Sequence, residues 1–397
     1  MKLLIVNDYH PIDYPGAASV AWDLAEMLLN TGLEVEYWTG NLQSAKKNLF
    51  SELVIRQFRL PTNVLKLRRL EILRHFYREF GNFRNTVKLA CTLHKVKPDL
   101  VWVHQTGNVF PRTLVLLCRL FKIRSLITLH DFNYIALRKL LPADLLLTPP
   151  EIRELHQTDS KEDLSKYIFR NRHNLVSLFL KMRISLNRFL LAKFDKVICI
   201  SQMQANIYQS LNFRIDEVIP NRIDACSCDS FAKERERSAL IVGRMAEKGF
   251  PDALSSITRY KYKFHLVGKE FLSLKNTLDE AECDYNLYGQ LEPQDVHKIM
   301  HKVRFVFVLS TCFDVYPTVA LEAMTHGAIP LVSWTTGTSG YLSSVLPELI
   351  SFTGNPPNLD SLWEQQFRIS SILNQFSQSR VVDRRANLNS YLKNILN

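Results

Sequence analysis

The chain has 397 residues, 46% hydrophobic and 22% charged, with a formal net charge of +11; it is too long for one ordinary core, and its balance excludes a disordered chain. No apolar run reaches the ~18 residues of a spanning helix, and Met1-Lys-Leu-Leu-Ile-Val-Asn-Asp8 turns polar too soon for a secretory signal, so the expected location is the cytosol. Residues 1–220 hold 31 Lys+Arg against 20 Asp+Glu while residues 221–397 hold 19 against 19, which confines the positive excess to the first half and suits an anionic surface or acceptor there.

Residues 2–7 read as a buried strand, followed by a loop with Pro11, Pro15 and Gly16, a helix over 19–30 and a strand over 34–39. Strand, glycine-bearing loop, helix, strand is the opening of a doubly wound parallel sheet, with the loop at the strand's carboxyl end where ligands bind. Further strands are expected at 53–58, 100–104, 125–130 and 196–201, then at 239–242, 263–267, 285–288, 305–309 and 329–333, alternating with helices. Two α/β halves result, divided near Pro220 to Phe231: 1–220 and 221–397, with the last helix able to pack back on the first domain. The cysteines, Cys91, Cys118, Cys199, Cys226, Cys228, Cys283 and Cys312, lack the paired spacing of a zinc site.

In the first half, Pro15-Gly16-Ala17-Ala18-Ser19 precedes a helix whose free N–H groups can receive an anion, but the three glycines of a dinucleotide fingerprint are missing, which argues against hydride transfer. His130-Asp131 ends an apolar strand and would project from the sheet's carboxyl edge; His104 ends a neighbouring strand in the same way. Two basic stretches account for the charge. Val64 to Lys88 carries Lys66, Arg68, Arg69, Arg74, Arg78, Arg84 and Lys88 against Glu71 and Glu79, with Leu70, Leu73, Tyr77, Phe80, Phe83 and Val87 at helical spacing. Lys166 to Lys196 is similarly basic, with Leu178, Met182, Leu186, Phe189 and Leu190 in its apolar series. Such helices can lie on anionic lipid, or can pack their apolar stripe on the sheet and leave the cations solvated. No nucleic-acid reading motif accompanies them, so no nucleic-acid partner is expected.

In the second half, the strand Ala239-Leu-Ile-Val runs into Gly243-Arg244-Met-Ala-Glu-Lys248-Gly249, where glycines permit close backbone approach and two cations could neutralise a diphosphate. A plain strand-to-helix turn with solvated charges fits the same residues. Only 13 glycines occur in the chain, so each one at a strand end is informative. Asp314-Val-Tyr316-Pro317-Thr318-Val-Ala-Leu-Glu322-Ala-Met-Thr-His-Gly327 predicts a helix over 317–326, with Pro317 in the first turn and Gly327 in the left-handed position after the last. Glu322 sits among Val319, Ala320, Leu321, Ala323 and Met324, too apolar a setting for a routinely solvated Glu, so a buried carboxylate is expected, whose donors a ligand's hydroxyls could supply. A helix with one polar stripe is the alternative.

In their order along the chain, these segments resemble the retaining glycosyltransferases of the large group 1 family, numbered family 4, and the resemblance covers nearly the whole chain. It rests on Pro15 through Ala25, Thr128-Leu-His-Asp131, Ile198-Cys-Ile-Ser201 with Pro220-Asn-Arg-Ile-Asp224, Gly243 through Gly249, and Asp314 through Gly327. It implies the GT-B architecture: two facing Rossmann-like domains with an inter-domain crevice. The implied donor is a nucleotide sugar, and the implied acceptor is a surface polysaccharide or lipid-linked saccharide at an anionic membrane. The implied catalytic residues are His130, Asp314, Arg244 and Lys248, with no metal and no cofactor. The implied donor-binding residues are Gly16, Gly243, Arg244, Lys248, Asp314, Tyr316, Pro317, Thr318 and Glu322, with Glu322 on the ribose hydroxyls. The acceptor and membrane side would carry Lys66, Arg68, Arg69, Arg74 and Arg78.

Three positions depart from the family pattern. Asp314 stands where the family usually has Glu, Arg222 occupies a usual Gly, and the loop between Arg244 and Lys248 is one residue short. The expected function is transfer of a hexose-type sugar, with retention, by a peripheral enzyme on the inner membrane face. The alternatives are a nucleotide-sugar epimerase and a non-catalytic subunit that keeps the fold and binds sugar nucleotide or membrane.

Overall fold

The computed structural model describes residues 1–11, 16–40, 53–58, 77, 79–135, 141–142, 174–221, 223–224, 235–243, 262–310, 312–351 and 358–382. Lys66, Arg68, Arg69, Arg74, Arg78, Arg222, Cys226, Cys228, Arg244 and Lys248 lie outside them, as does the chain after residue 382.

The first half is built from β1 (Lys2–Asn7), α1 (Ala17–Leu29), β2 (Glu34–Gly40), β3 (Val54–Phe58), α2 (Phe83–Val96), β4 (Leu100–Gln105), α3 (Leu114–Leu120), β5 (Arg124–Leu129), β6 (Leu141–Pro142), α4 (Asn174–Leu191), β7 (Lys196–Cys199), α5 (Gln202–Ser210) and β8 (Glu217–Val218). Seven of its strands form a parallel sheet in the order β3-β2-β1-β4-β5-β7-β8. Leu3, Ile5, Val35, Tyr37 and Trp102 line the face that α1 covers. Leu4, Val6, Val101, Val103 and Ile127 line the other, beneath Leu89 and Leu93 of α2, Leu114 and Cys118 of α3, and Ile184 and Leu190 of α4. Near-continuous apolar strands with helices on both faces are what a parallel sheet requires.

After the short β9 (Ile223–Asp224), the second half comprises β10 (Glu236–Val242), β11 (Lys263–Val267), α6 (Lys275–Glu280), β12 (Tyr285–Gly289), α7 (Pro293–Met300), β13 (Val303–Val308), β14 (Cys312–Phe313), α8 (Thr318–Thr325), β15 (Ile329–Ser333), α9 (Ser339–Val345), β16 (Ile350–Ser351), α10 (Leu359–Glu364), α11 (Gln366–Arg380) and β17 (Val381–Val382). Six strands form a second parallel sheet, β12-β11-β10-β13-β15-β16. Strand order reverses between β1 and β4 in the first sheet and between β10 and β13 in the second, which opens a binding crevice at the carboxyl ends of those pairs.

The expected strands are all present, three with the expected bounds and the others with ends displaced by one to three residues. The basic helices differ more. Helix residues up to Phe80 give way to Gly81 and Asn82, and α2 starts afresh at Phe83, with the Asn82 side chain accepting from the Asn85 N–H at 3.3 Å. Phe83 and Val87 of the apolar series are exposed and do not pack on the sheet. In α4 the expected series splits: Leu190 is buried, whereas Leu178, Met182 and Phe189 face outward. Arg183, one of the cations of this basic stretch, is fully buried.

Arg183 belongs to a buried ion cluster. Glu79 accepts from Arg183 Nε at 2.8 Å and Nη2 at 2.9 Å, and Arg112 Nη1 lies 3.1 Å from the same carboxylate. Both guanidinium groups also donate to the Asn133 carbonyl. The Arg112 plane lies over the Tyr134 ring at 4.3 Å. One carboxylate therefore joins α4 to the segments after β4 and β5, and its loss would strand two buried cations. Glu79→Ala is expected to cost about 3–5 kcal/mol of unfolding free energy. Glu34→Ala, which removes an exposed partner of Lys2, is expected to cost about 1 kcal/mol or less. Denaturant titration compares the two, and equal losses would contradict the cluster's structural role.

Candidate active site

Each sheet contributes its carboxyl edge. At the first reversal point Asp8 follows β1 and is buried; its carboxylate accepts from the N–H groups of Asn108, Val109 and Phe110 at 2.8, 2.9 and 2.9 Å. This ties the loop after β4 to the end of β1. Gly16 opens α1 with φ 93°, a conformation that disfavours any side chain, and no side chain of its own caps the helix. His130 follows β5. Its Nε2 lies 2.8 Å from Nδ1 of His104 on β4, and their rings stack at 5.1 Å. Burial pushes the His130 imidazole down to about 4 and the His104 imidazole well below its usual value, with the neighbouring ring adding to the second effect. Both are neutral at physiological pH, so His130 can hydrogen-bond a ligand there but does not supply a fixed cation.

At the second reversal point the backbone is drawn in close. Gly243 ends β10 and its N–H donates to the Val267 carbonyl at 3.0 Å. A Cβ on Gly268, which has φ 154°, would lie 2.3 Å from the Gly243 carbonyl oxygen. The cations expected to exploit this approach, Arg244 and Lys248, are outside the described residues. Asp314 lies in the loop after β13, where Ser310 Oγ donates to its carboxylate at 3.2 Å. The Asp314 N–H donates to the Thr335 carbonyl at 3.1 Å, and the Gly337 N–H donates to the Asp314 carbonyl at 2.8 Å. Asp314 is thus held between two loops, those after β13 and β15.

Helix α8 begins at Thr318, one residue later than expected, with Pro317 as its extended cap and Tyr316 buried before it. Gly327 follows with φ 75°, as the helix stop requires. Glu322 is not buried: its side chain is 28% exposed, with Oε2 3.6 Å from Nε2 of His297 on α7. The apolar run around it packs inward while Glu322 occupies the open side. His297 in turn lies against His326, the rings tilted by 33° at 4.3 Å between centres.

The two edges meet. A Cβ on Gly337 would lie 1.8 Å from the Val315 carbonyl oxygen and 2.7 Å from both Cβ and Oγ of Ser201, which caps α5. Phe132 meets Phe313 at 6.4 Å, and β14 pairs with β6. Loops after β5 and β7 of the first sheet therefore abut loops after β13 and β15 of the second. This brings the His130 segment and the Asp314 segment to facing sides of one crevice. Ser310, Gly268, Gly337 and His297 were missing from the sequence reading. For Gly268 a signal was available: it directly follows the apolar strand Lys263–Val267 in a glycine-poor chain. Ser310, Gly337 and His297 act through tertiary neighbours and carry no local mark.

Among known proteins, the chain matches the model of Glycosyltransferase Family 4 over residues 14–225 and that of Glycosyl transferases group 1 over residues 228–350. No curated protein matches it. Sucrose-phosphate synthase from Thermosynechococcus elongatus is similar in structure, with a TM-score of 0.65 and 12% identity, covering 100% of this chain and 99% of that one. Anabaena HepE, solved in complex with UDP-glucose, has a TM-score of 0.64 and 15% identity, covering 100% and 99%. An alpha,alpha-trehalose-phosphate synthase from Burkholderia vietnamiensis has a TM-score of 0.57 and 10% identity, covering 99% and 99%. At such identities these structures show the shared fold, the GT-B architecture of two Rossmann-like domains. The family match over residues 14–225 spans more than half of the chain, and the group 1 module follows it, so the protein belongs to glycosyltransferase family 4.

Proposed function

We propose that the protein transfers a hexose-type sugar, with retention, from a nucleotide-sugar donor to a lipid-linked or surface-polysaccharide acceptor. The observation that carries this is the arrangement at the second reversal point: glycine-lined strand ends, the start of α8, and two carboxylates, Asp314 and Glu322, along one edge of the crevice. Glu322 is open enough to accept from ribose hydroxyls, and Asp314, oriented by Ser310, faces the sugar. Arg244 and Lys248, directly after Gly243, hold the diphosphate, with Gly16 at the opposite rim. Separation of sugar from nucleoside diphosphate builds negative charge on the leaving oxygens, and fixed cations stabilise it. These side chains supply that charge without a metal. The HepE complex with UDP-glucose supports a donor of this class.

The acceptor side is read from the outer layer of the first domain. Helices α2, α3 and α4 cover one face of the sheet and contain no Asp or Glu. Phe83, Val87, Leu116, Leu120, Leu178 and Phe189 are exposed on them, beside Arg84, Lys88, Arg119 and Lys181. No helix among the described residues is long and apolar enough to cross a membrane. Cations interleaved with exposed apolar side chains suit adsorption to an anionic lipid surface, where a lipid-borne acceptor would be met.

The testing experiment is release of nucleoside diphosphate from UDP-, GDP-, ADP- and dTDP-sugars with and without a lipid extract. Acceptor-dependent release from one donor is expected, unaffected by EDTA, and Glu322→Ala is expected to reduce kcat/KM about 100-fold, the loss of a charged hydrogen-bonding partner of the bound donor. Release indifferent to acceptor, or to Glu322, would overturn the reading. Binding to vesicles is expected to require anionic lipid and to weaken as salt rises; binding to neutral vesicles at high salt would contradict the electrostatic part.

A further inference from the structure

His104 and His130, which end neighbouring strands, form one unit. Trp102, His104 and His130 make a continuous stack, at 5.6 Å and 5.1 Å between successive ring centres, and Trp102 is itself anchored by its Nε1–H donating to Thr128 Oγ1 at 3.0 Å. The backbone beneath His130 is equally fixed. The Asp131 carbonyl accepts from Gln204 Nε2 and from the Tyr208 hydroxyl, and the Asp131 carboxylate accepts from the Asn133 N–H.

The hydrogen bond between the rings imposes a rule. If His104 Nδ1–H donates, His130 Nε2 must be bare and its proton sits on Nδ1. If His130 Nε2–H donates, His104 Nδ1 is bare and its proton sits on Nε2. The rings therefore share a tautomer, both Nδ1–H or both Nε2–H. In either case one donor and one acceptor remain, and the two remaining atoms, His104 Nε2 and His130 Nδ1, are buried with no partner among the described residues. A phenylalanine at 104 would stack on Trp102 without that penalty, so filling space does not account for an imidazole here.

We infer that His104 is a positioning residue for His130, holding its ring plane and coupling its tautomer to its own through the Nδ1···Nε2 hydrogen bond, so that His130 is presented to the bound sugar or acceptor in a fixed orientation. This rests on the glycosyl-transfer reading for its consequence, though not for the pairing itself. His104 does not touch the ligand; it constrains how the His130 ring sits.

The test uses the full chain with His104→Phe, which keeps the stack and removes the hydrogen bond, and His104→Asn, whose amide stands about where Nδ1 stood. With whichever of UDP-glucose, GDP-mannose, ADP-glucose or dTDP-glucose is turned over, His104→Phe is expected to lower kcat by about tenfold or more while the donor KM changes by less than about threefold. His104→Asn is expected to recover most of that loss, with thermal midpoints of both close to wild type. An unaltered kcat in His104→Phe, or equal impairment of the two variants, would overturn the positioning role. Nitrogen-15 spectra of histidine-labelled wild type read the pairing without turnover: the two rings must show the same tautomer, and opposite tautomers would refute it. If no donor is turned over by the wild type, the transfer reading fails while the spectra still decide the pairing.

Discussion

The site exists because Gly337 carries no side chain. Its backbone passes so close to the Val315 carbonyl and the Ser201 side chain that a single added carbon has no room. At that contact the loop after β15 touches the loop before α8 and the cap of α5 together. Asp314 is pinned there by two backbone hydrogen bonds to the same loop, which makes its position a property of both sheets' edges and not of its own loop. Van der Waals exclusion at one glycine thus sets the spacing on which the facing His130 and Asp314 segments depend.

Around this contact, polarity is used to stiffen the rims. Asp8 gathers three backbone N–H groups at the first reversal point, and Glu79 gathers two guanidinium groups behind the segment that follows His130. The loops that carry candidate ligand contacts are therefore fastened by charge-assisted hydrogen bonds to the sheet below them. A crevice whose rims are held this way can keep donors and acceptors aimed at charge that appears only in the transition state, without reorganising when it does.

Most of the architecture could be read from the chain because parallel strands buried on both faces leave apolar runs such as Leu3-Leu-Ile-Val6 and Phe305-Val-Phe-Val308, bounded by glycine or polar residues. The helix Thr318–Thr325 was legible from Pro317 and Gly327, whose backbone preferences are local. What escaped was whatever depends on a distant partner. Arg183 reads as one more cation on a basic helix until Glu79, 104 residues earlier, is placed beside it. Glu322 reads as buried from its apolar neighbours in sequence, yet on a helix those neighbours turn to the core while it turns outward. The same holds for α4, where Arg183 and Leu190 turn inward while Leu178, Met182 and Phe189 turn outward. The likeness of His104 to His130 was visible, whereas their hydrogen bond, which joins neighbouring strands at unequal heights, was not.

On the proposed function, a nucleotide sugar binds across the two facing edges. Hydrogen–deuterium exchange of the full chain, with and without the nucleotide sugar that supports turnover, tests it most directly. The account predicts slowed exchange concentrated in 314–322 and 333–338 of the second domain and in 16–20 of the first, with the outer helices α2 to α4 unchanged. Protection absent from those segments, or confined to the outer helices, would contradict it.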